Sequence, residues 1–291
     1  MRSLGLDLGG TNIKLALLDG GKVVDERAVP TRSEDGGADA VLRRMAELAG
    51  SVGAVDSLGV AVPGLVDEDG VAVLFPNLHG TWTGVPVRTR LEDEIGHRVA
   101  LINDGHAFAL AESTLGAGRG APDLICIVCG TGIGGGLVLG GRLHLGVADR
   151  AGEFGHHTVA VDGLPCECGN SGCLELYAGS RAIARAANAD SFEDAVRRAR
   201  EGDSMAADAL ANAGRLIGIA IANVLIFVAP QRVVLGGGVT EAGDLLLEPL
   251  RASIAEHACV APLDVIRIVT AELGPRAGAI GAALWGAAEA G

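Results

Sequence analysis

Two stretches of the sequence repeat one pattern of apolar runs and glycine loops. The runs are Leu4 to Leu8 with Ile13 to Leu18 in the first half, and Leu124 to Cys129 with Gly135 to Leu139 in the second. The loop between each pair of runs contains Gly10-Thr11 or Thr131-Gly132. Short apolar runs that are separated by glycine turns are typical of β-hairpins. Helical patterns follow in both halves, so the sequence predicts an α/β protein built from a repeated half.

Composition and charge exclude several classes of protein. Hydrophobic residues make up 49% and charged residues 20% of the chain, as in globular proteins and unlike disordered ones. The net charge of −13 repels nucleic acid and anionic membranes, so neither is an expected partner. No secretory signal is visible before Asp7, and the longest apolar stretch, Leu216 to Ala229, is short for a membrane span. We therefore expect a cytoplasmic protein with one buried apolar helix.

A short loop collects half of the cysteines, at Cys166, Cys168 and Cys173. This C-x-C-x4-C spacing offers three thiolates to a metal, and Gly169 and Gly172 permit the tight turn. Zinc takes four nitrogen or sulfur ligands, and the fourth could come from His156, ten residues before Cys166, or from the adjacent His157. The spacing alone does not choose between the two histidines. Three cysteines that merely share a buried loop are the alternative to a metal site.

Glycine-rich loops beside apolar runs indicate places where the backbone comes close to a ligand. The first loop lies in Asp7-Leu8-Gly9-Gly10-Thr11-Asn12-Ile13-Lys14, which combines a carboxylate, a hydroxyl and a lysine with a glycine turn. Backbone N–H groups of such a turn bind phosphate, and a nearby carboxylate holds hydrated Mg²⁺. A purely structural hairpin turn has the same appearance. Two more glycine loops, at residues 130–136 and 236–238, favour a phosphate ligand.

Three motifs give the chain a resemblance to the ROK family of sugar kinases, within the actin-like ATPase superfamily. They are Asp7-x-Gly9-Gly10-Thr11, the tail from Gly274 to Ala283, and Glu153-Phe154-Gly155-His156 followed by the segment from Cys166 to Glu175. The resemblance implies two ribonuclease-H-like α/β domains with a ligand cleft between them. We expect a small first domain of residues 1–110 with the C-terminal helix 277–291. The larger second domain is expected to cover residues 111–276 and to carry the zinc-binding loop.

The resemblance also implies a role for individual residues. Asp104 matches the catalytic base, although an aspartate before a helix is also a common N-cap. The implied sugar contacts are Gly64, Asn103, Asp104, Glu153, His156 and Glu175. The implied nucleotide contacts are Asp7, Gly9, Gly10, Thr11, Asn12, Lys14, Thr131, Gly132, Gly236, Gly237 and Gly238. His156 occupies the family's zinc-histidine position, so the implied metal ligands are His156, Cys166, Cys168 and Cys173.

The function implied by the resemblance is carbohydrate phosphorylation. The expected reaction transfers the γ-phosphoryl group of ATP, with Mg²⁺, to the 6-hydroxyl of glucose, while a structural Zn²⁺ braces the site. N-acetylglucosamine, N-acetylmannosamine or fructose is an alternative substrate, and polyphosphate is a less favoured donor because relatives that use it generally lack the cysteine motif. A sugar-responsive transcription regulator is a further alternative, which the position of Asp7 near the start and the acidic charge disfavour. The family usually forms dimers or tetramers, so a homo-oligomer is expected.

Overall fold

The structure is a computed structural model that describes every residue from Met1 to Gly291. The strands in chain order are β1 (Arg2–Leu8), β2 (Asn12–Asp19), β3 (Lys22–Pro30), β4 (Ser57–Val62), β5 (Leu65–Val66), β6 (Ala72–Leu74), β7 (Ala100–Asn103), β8 (Leu124–Cys129), β9 (Ile133–Leu139), β10 (Arg142–His144), β11 (Arg232–Gly236) and β12 (Arg267–Thr270). The α-helices are α1 (Gly37–Gly50), α2 (Val87–Ile95), α3 (Asp104–Leu115), α4 (Glu175–Ala178), α5 (Ser180–Ala186), α6 (Phe192–Arg200), α7 (Ser204–Val228), α8 (Asp244–His257) and α9 (Ala277–Glu289). Short 3-10 helices cover Val147–Asp149, Phe154–His156, Gly238–Ala242 and Gly274–Arg276.

The chain folds into two compact units. The first consists of Met1–Gly116, Leu143–Ala151 and Leu273–Gly291, and the second of Ala117–Arg142 and Gly152–Glu272. These limits differ from the expected domains, because residues 111–116, 143–151 and 273–276 belong to the first unit. Helix α3 continues without a break to Leu115, which carries the first unit past residue 110. The segment 143–151 is tied to the same helix, since the His106 ring nitrogen Nε2 lies 2.7 Å from the carbonyl oxygen of Ala151.

The first unit is built on a five-stranded sheet with the order β3-β2-β1-β4-β7. Strand β1 is antiparallel to β2 and parallel to β4, and β4 is parallel to β7. Alternate leucines of β1, such as Leu4 and Leu6, are buried in the core with Val41 and Leu42 of α1. Helix α9 covers the opposite face closely, because a Cβ atom on Gly59 would lie only 1.8 Å from the carbonyl oxygen of Ala282.

The second unit repeats this topology with the order β10-β9-β8-β11-β12. Strand β8 is antiparallel to β9 and parallel to β11, which is parallel to β12. Both predicted hairpins and the predicted repeat are therefore confirmed. Helix α7 is long and apolar enough to cross a membrane by length and composition alone. Its buried side chains, among them Leu210, Ile217 and Ile221, belong to the core of this unit, as expected for the apolar stretch.

Candidate active site

Asp104 is the first residue of α3 and directly follows β7. The cap of this helix is Asn103, whose Oδ1 accepts hydrogen bonds from the N–H groups of Gly105 (2.8 Å) and His106 (3.2 Å). Asp104 is half-buried, and its Oδ1 also accepts a hydrogen bond from the Gly105 N–H at 2.8 Å. The structure thus gives the capping role to Asn103. The helix does not depend on the Asp104 carboxylate for its N-terminal cap.

The amide of Asn103 also fixes a second predicted site residue. Its Nδ2 donates a hydrogen bond to the carbonyl oxygen of Gly64 at 3.0 Å. Gly64 has a φ of +72°, and a Cβ atom there would lie 2.2 Å from the carbonyl oxygen of Leu74. Only glycine fits this turn. The Asn103 side chain therefore connects the end of β7 with the turn after β4, while its second amide hydrogen remains available to a ligand.

The glycine turn between β1 and β2 is held in place by Thr31. The Thr31 hydroxyl donates to the Gly9 carbonyl oxygen at 2.6 Å, and the Thr31 N–H donates to the Thr11 carbonyl oxygen at 2.8 Å. A Cβ atom on Gly10 would lie 2.9 Å from the Asn77 carbonyl oxygen, so the turn is also closely packed. Thr11 and Asn12 are exposed at its tip.

Asp7 lies in the strand that leads into this turn. Its Oδ2 is 3.4 Å from the Lys14 Nζ, and the two residues face each other in the β1–β2 register. Burial raises the pKa of Asp7 above its ordinary value of 3.8, and Lys14 opposes this shift. A Cβ atom on Gly278 would lie 2.7 Å from the Asp7 carboxyl carbon. The carboxylate is therefore enclosed between Lys14 and the first turn of α9.

In the second unit, Glu175 holds the loop between β8 and β9. Its Oε2 accepts a hydrogen bond from the Ile133 N–H at 2.9 Å, and a Cβ atom on Gly132 would lie 2.2 Å from the same oxygen. Its Oε1 accepts no hydrogen bond from the protein. The N–H of Ser180 donates to the carbonyl oxygen of Gly130 at 2.9 Å. The first residues of α4 and α5 thus position this loop.

The third glycine loop comes close to the end of β8. Gly237 has a φ of +87°, and a Cβ atom there would lie 2.2 Å from the Cys129 carbonyl oxygen. Cys129 and Gly236 end two parallel strands of the same sheet. Ligands of open α/β sheets bind at the carboxyl ends of such strands. The loops that contain Thr131-Gly132 and Gly236 to Gly238 share this edge.

His156, Cys166, Cys168 and Cys173 place their metal-binding atoms within 4.8 Å of one another. The Cys168 and Cys173 sulfurs are 3.7 Å apart, and the His156 Nδ1 is 3.7 Å from the Cys166 sulfur. A tetrahedral zinc ion with ordinary bond lengths holds two sulfurs about 3.8 Å apart, and a sulfur and a nitrogen about 3.6 Å apart. The donor set and its spacing therefore fit zinc.

The turn that carries the cysteines depends on its two glycines. Gly169 and Gly172 have φ values of +91° and +72°, and a Cβ atom on Gly172 would lie 1.7 Å from the Ala160 carbonyl oxygen. Burial raises the pKa of the Cys173 thiol to about 12, whereas a hydrogen bond from the Asn170 backbone lowers the pKa of Cys168. A thiolate at Cys173 therefore needs a cation beside it.

The two adjacent histidines have different surroundings. The Nε2 of His157 is 3.3 Å from the Asn223 Nδ2, and the structure brings His156, not His157, to the cysteines.

Glu153 precedes the short helix Phe154–His156 and is half-buried. Its carboxylate makes no hydrogen bond or ion pair in the protein. Such a carboxylate is available to a polar ligand.

The predicted site residues divide between the two units. The first unit holds Asp7, Gly9, Gly10, Thr11, Asn12, Lys14, Gly64, Asn103 and Asp104, and the second holds Thr131, Gly132, Glu153, His156, Cys166, Cys168, Cys173, Glu175, Gly236, Gly237 and Gly238. The sequence does not predict two of the contacts. These are the contact of Gly278 with Asp7 and the contact of Gly132 with Glu175, which join residues distant in the chain. The glycine at each position is the sole feature of the local sequence that indicates a close contact.

Two units with the same five-stranded topology, each with a glycine loop in its first hairpin, define the actin-like ATPase fold. The family model described as the ROK family matches residues 3–289. The chain belongs to the ROK family.

Individual relatives are similar over nearly the whole chain. A glucokinase of Halalkalibacterium halodurans is 34% identical and is matched over 96% of this chain and 92% of its own length. The crystal structure of a ROK family glucokinase from Streptomyces griseus in complex with glucose and AMPPNP superposes with a TM-score of 0.87 at 31% identity, covering 99% of this chain and 100% of that one. A ROK hexokinase from Thermus thermophilus gives a TM-score of 0.85 at 35% identity, with 99% of both chains covered.

Proposed function

We propose that this protein is an ATP-dependent kinase that transfers the γ-phosphoryl group of ATP to the 6-hydroxyl of glucose in the cytoplasm. Membership of the ROK family and the likeness to glucokinases support the proposal. The observation that carries it is Asp104, a half-buried carboxylate that follows β7 on a helix capped by its neighbour Asn103. We propose this carboxylate as the base, because it lies at the end of β7 while the cap of the helix is Asn103.

In the proposed reaction, Asp104 accepts the proton of the 6-hydroxyl while the hydroxyl oxygen attacks the γ-phosphorus. The bond from this phosphorus to the oxygen that bridges it to the β-phosphorus breaks, and ADP leaves. Phosphoryl transfer depends mainly on positioning and on charge neutralisation, so one well-placed base is sufficient. Mg²⁺ supplies part of that neutralisation when it is bound, and we propose that Asp7 holds it through water.

The glycine loops are proposed to bind the nucleotide phosphates through backbone N–H groups, which approach phosphate oxygens where no Cβ atom intervenes. The residues concerned are Gly9, Gly10, Thr11, Asn12, Lys14, Thr131, Gly132, Gly236, Gly237 and Gly238. Support comes from the exposure of Thr11 and Asn12 and from the convergence of two loops at one edge of the second sheet. Lys14 pairs with Asp7, so its charge is held beside the first loop.

Sugar hydroxyls both donate and accept hydrogen bonds, so carboxylates and amides at fixed positions recognise them. We propose Glu153 and Glu175 as the carboxylates, together with Asn103, Gly64 and His156. Glu153 has no protein partner, and Glu175 uses only Oε2 within the protein. His156 turns Nδ1 towards Cys166, which leaves its Nε2 for a hydroxyl.

We propose that the cluster of His156, Cys166, Cys168 and Cys173 binds one structural Zn²⁺. Four protein ligands leave no open position for water or substrate. The zinc ligand His156 and the proposed sugar contacts Glu153 and Glu175 lie on the same short stretches of chain. Bound zinc would therefore fix the orientation of groups that recognise the sugar.

The test of the proposed reaction is Asp104→Asn. Asparagine keeps the size of the side chain and an Oδ1 that accepts from the Gly105 N–H, while it removes the base. We expect kcat with glucose and ATP to fall at least about a hundredfold. Asp93→Asn, a change at an exposed position of α2, is the matched control and should retain full activity. An Asp104→Asn enzyme with wild-type kcat contradicts the proposed base.

The substrate is tested separately from the base. Initial rates with glucose, fructose, N-acetylglucosamine and N-acetylmannosamine, each with ATP or polyphosphate, should give the highest kcat/KM for glucose with ATP. A higher kcat/KM for an acetamido sugar or for fructose contradicts the proposal that glucose is the substrate. It does not affect the proposal that Asp104 is the base.

We further propose that the chain forms a homo-oligomer, a dimer or a tetramer. Phe227 and Ile226 in the last turn of α7 are 88% and 52% exposed, and exposed apolar groups of this kind mark interaction surfaces. Light scattering should give a multiple of the 29.3 kDa chain mass, and a mass of 29.3 kDa contradicts this proposal.

A further inference from the structure

A cavity of about 540 Å³ opens along β12, the edge strand of the second sheet. Three arginines from different elements line it, namely Arg232 of β11, Arg251 of α8 and Arg267 of β12. None of the residues proposed above for nucleotide, sugar or zinc lines this cavity. Arg232 begins β11, whereas the glycine loop lies at the other end of that strand. The cavity is therefore distinct from the candidate active site.

The three guanidinium groups of this cavity have few negative partners. The Arg267 side chain makes no ion pair or hydrogen bond, and the Arg251 Nη1 is 4.0 Å from the nearest Asp244 oxygen. Glu272 is the one carboxylate among the lining residues, and it pairs with Arg119 at 3.6 Å. The chain has 36 acidic and 23 basic residues, so a shortage of carboxylates does not explain why these arginines have few negative partners. Three guanidinium groups beside a single lining carboxylate leave a net positive charge, which attracts an anion.

Arg232 is a fixed part of the cavity wall. It is half-buried, and its Nη1 donates hydrogen bonds to the carbonyl oxygens of Ala117 and Arg119. Its Nε is buried without an acceptor, which is unfavourable for a charged donor. The guanidinium is thus held in one place before any ligand arrives, so a bound anion would not have to order a mobile side chain.

We propose that this cavity binds a small organic phosphate. Guanidinium groups bind phosphate through paired, charge-assisted hydrogen bonds. The cavity has the volume of a small-molecule site and is larger than one free phosphate ion requires. Thr270 offers a hydroxyl, and Ile268 and Val269 offer apolar surface to the rest of the ligand. A phosphate ester of a hexose and a nucleotide share this chemistry.

Calorimetric titration of the full chain tests the proposal. Glucose 6-phosphate, ADP and inorganic phosphate are titrated separately without AMPPNP, because an excess of that nucleotide would fill the proposed cavity as well as the candidate active site. We expect one equivalent of glucose 6-phosphate or ADP to bind per chain beyond the equivalent that binds at the candidate active site. The double variant Arg251→Glu/Arg267→Glu changes two exposed side chains and should weaken this binding at least about tenfold. Arg215→Glu, at an exposed position of α7, is the control and should leave it unchanged.

The outcomes separate the possible ligands. Binding of glucose 6-phosphate alone identifies a hexose phosphate, and binding of ADP alone identifies a nucleotide, so either result supports the proposal. Equal affinity in the wild type and in the double variant overturns it. Absence of binding for all three probes overturns it as well. Inorganic phosphate that binds as tightly as both esters overturns the assignment to an organic phosphate. Circular dichroism and kcat of the double variant show whether the fold is retained.

Discussion

Asp7 is a carboxylate whose burial is unfavourable for the stability of the fold. Transfer of a carboxylate from water into a protein interior is unfavourable, and Lys14, at 3.4 Å, offsets that penalty only in part. The raised pKa of Asp7 is the consequence. We infer that the charge of Asp7 serves the proposed Mg²⁺ site.

We predict that Asp7→Asn makes the ligand-free protein more stable and the enzyme less active. Because the folded-state pKa lies above the ordinary value of 3.8, the charged carboxylate destabilises the fold at neutral pH, and this effect disappears as the pH falls below that value. The gain in free energy of unfolding should therefore be present at pH 7 and absent at pH 3. The kcat should fall about a hundredfold, since a charge that stabilises the transition state is lost.

Urea denaturation at both pH values, with kinetics on the same preparations, checks this prediction. Asp93→Asn is again the control, because Asp93 is exposed and its loss should change neither quantity. A less stable Asp7→Asn protein at pH 7 would show that the ion pair with Lys14 outweighs the burial of the carboxylate.

The sequence predicts which residue types the site uses better than it predicts what each one touches. It identifies Asp104 and Asn103, but it does not assign the helix cap, because both residue types fill that position well. Spacing likewise does not choose between His156 and His157, which lie ten and nine residues before Cys166, whereas the family resemblance selects His156. Backbone geometry decides both cases, with Asn103 as the cap and His156 in the cluster.

At the scale of elements, the loop between residues 156 and 173 has almost no regular structure of its own. The loop is held by turn hydrogen bonds, such as that from the Cys166 N–H to the Asn170 carbonyl oxygen at 2.8 Å, and by one from the Leu164 N–H to the Tyr177 hydroxyl of α4 at 2.7 Å. Much of the loop is exposed. A loop with so little buried apolar surface needs another source of order, and a metal ion supplies it.

We predict that Cys168→Ser lowers the zinc affinity of the purified protein by more than about a hundredfold, the upper range for residues that only support metal ligands. Order in the loop should be lost with the metal, and KM for glucose should rise because Glu153, His156 and Glu175 lose their support. Metal analysis and hydrogen exchange of the loop measure the two effects. Cys259→Ser is the matched control, since Cys259 is exposed and lies outside the cluster. A fully ordered, active wild-type protein that contains no zinc contradicts the prediction.

At the scale of the whole molecule, the sequence predicts the repeat and the return of the C-terminal helix to the first unit. It does not predict that residues 143–151 also belong to that unit. Hydrophobic periodicity reports which residues are buried, but it carries no information on the unit against which they pack. The hydrogen bond between the His106 ring and the Ala151 carbonyl oxygen attaches this segment to the first unit. It joins residues that are distant in the chain, so no local sequence pattern predicts it.

The return of α9 makes the first unit depend on both ends of the chain. The helix packs so closely on β1 and β4 that Cβ atoms on Gly5 and Gly59 would lie 1.9 and 1.8 Å from the carbonyl oxygens of Ala279 and Ala282. No rotamer relieves such a contact, because the obstructing atoms are backbone. The sheet and the helix would have to separate, with loss of packing around them.

We therefore predict that Gly59→Ala lowers the free energy of unfolding by about 3 kcal/mol. Gly50→Ala is the matched control, because Gly50 ends α1 with open space around it, and alanine there should be neutral or stabilising by up to about 1 kcal/mol. Urea denaturation measures both variants. Hydrogen exchange locates the effect, which should fall on β1, β4 and α9 and spare the second unit with its α7 core. A Gly59→Ala protein as stable as Gly50→Ala would mean that the sheet and α9 can move apart at little cost, and that the first unit does not need its C-terminal helix in this position.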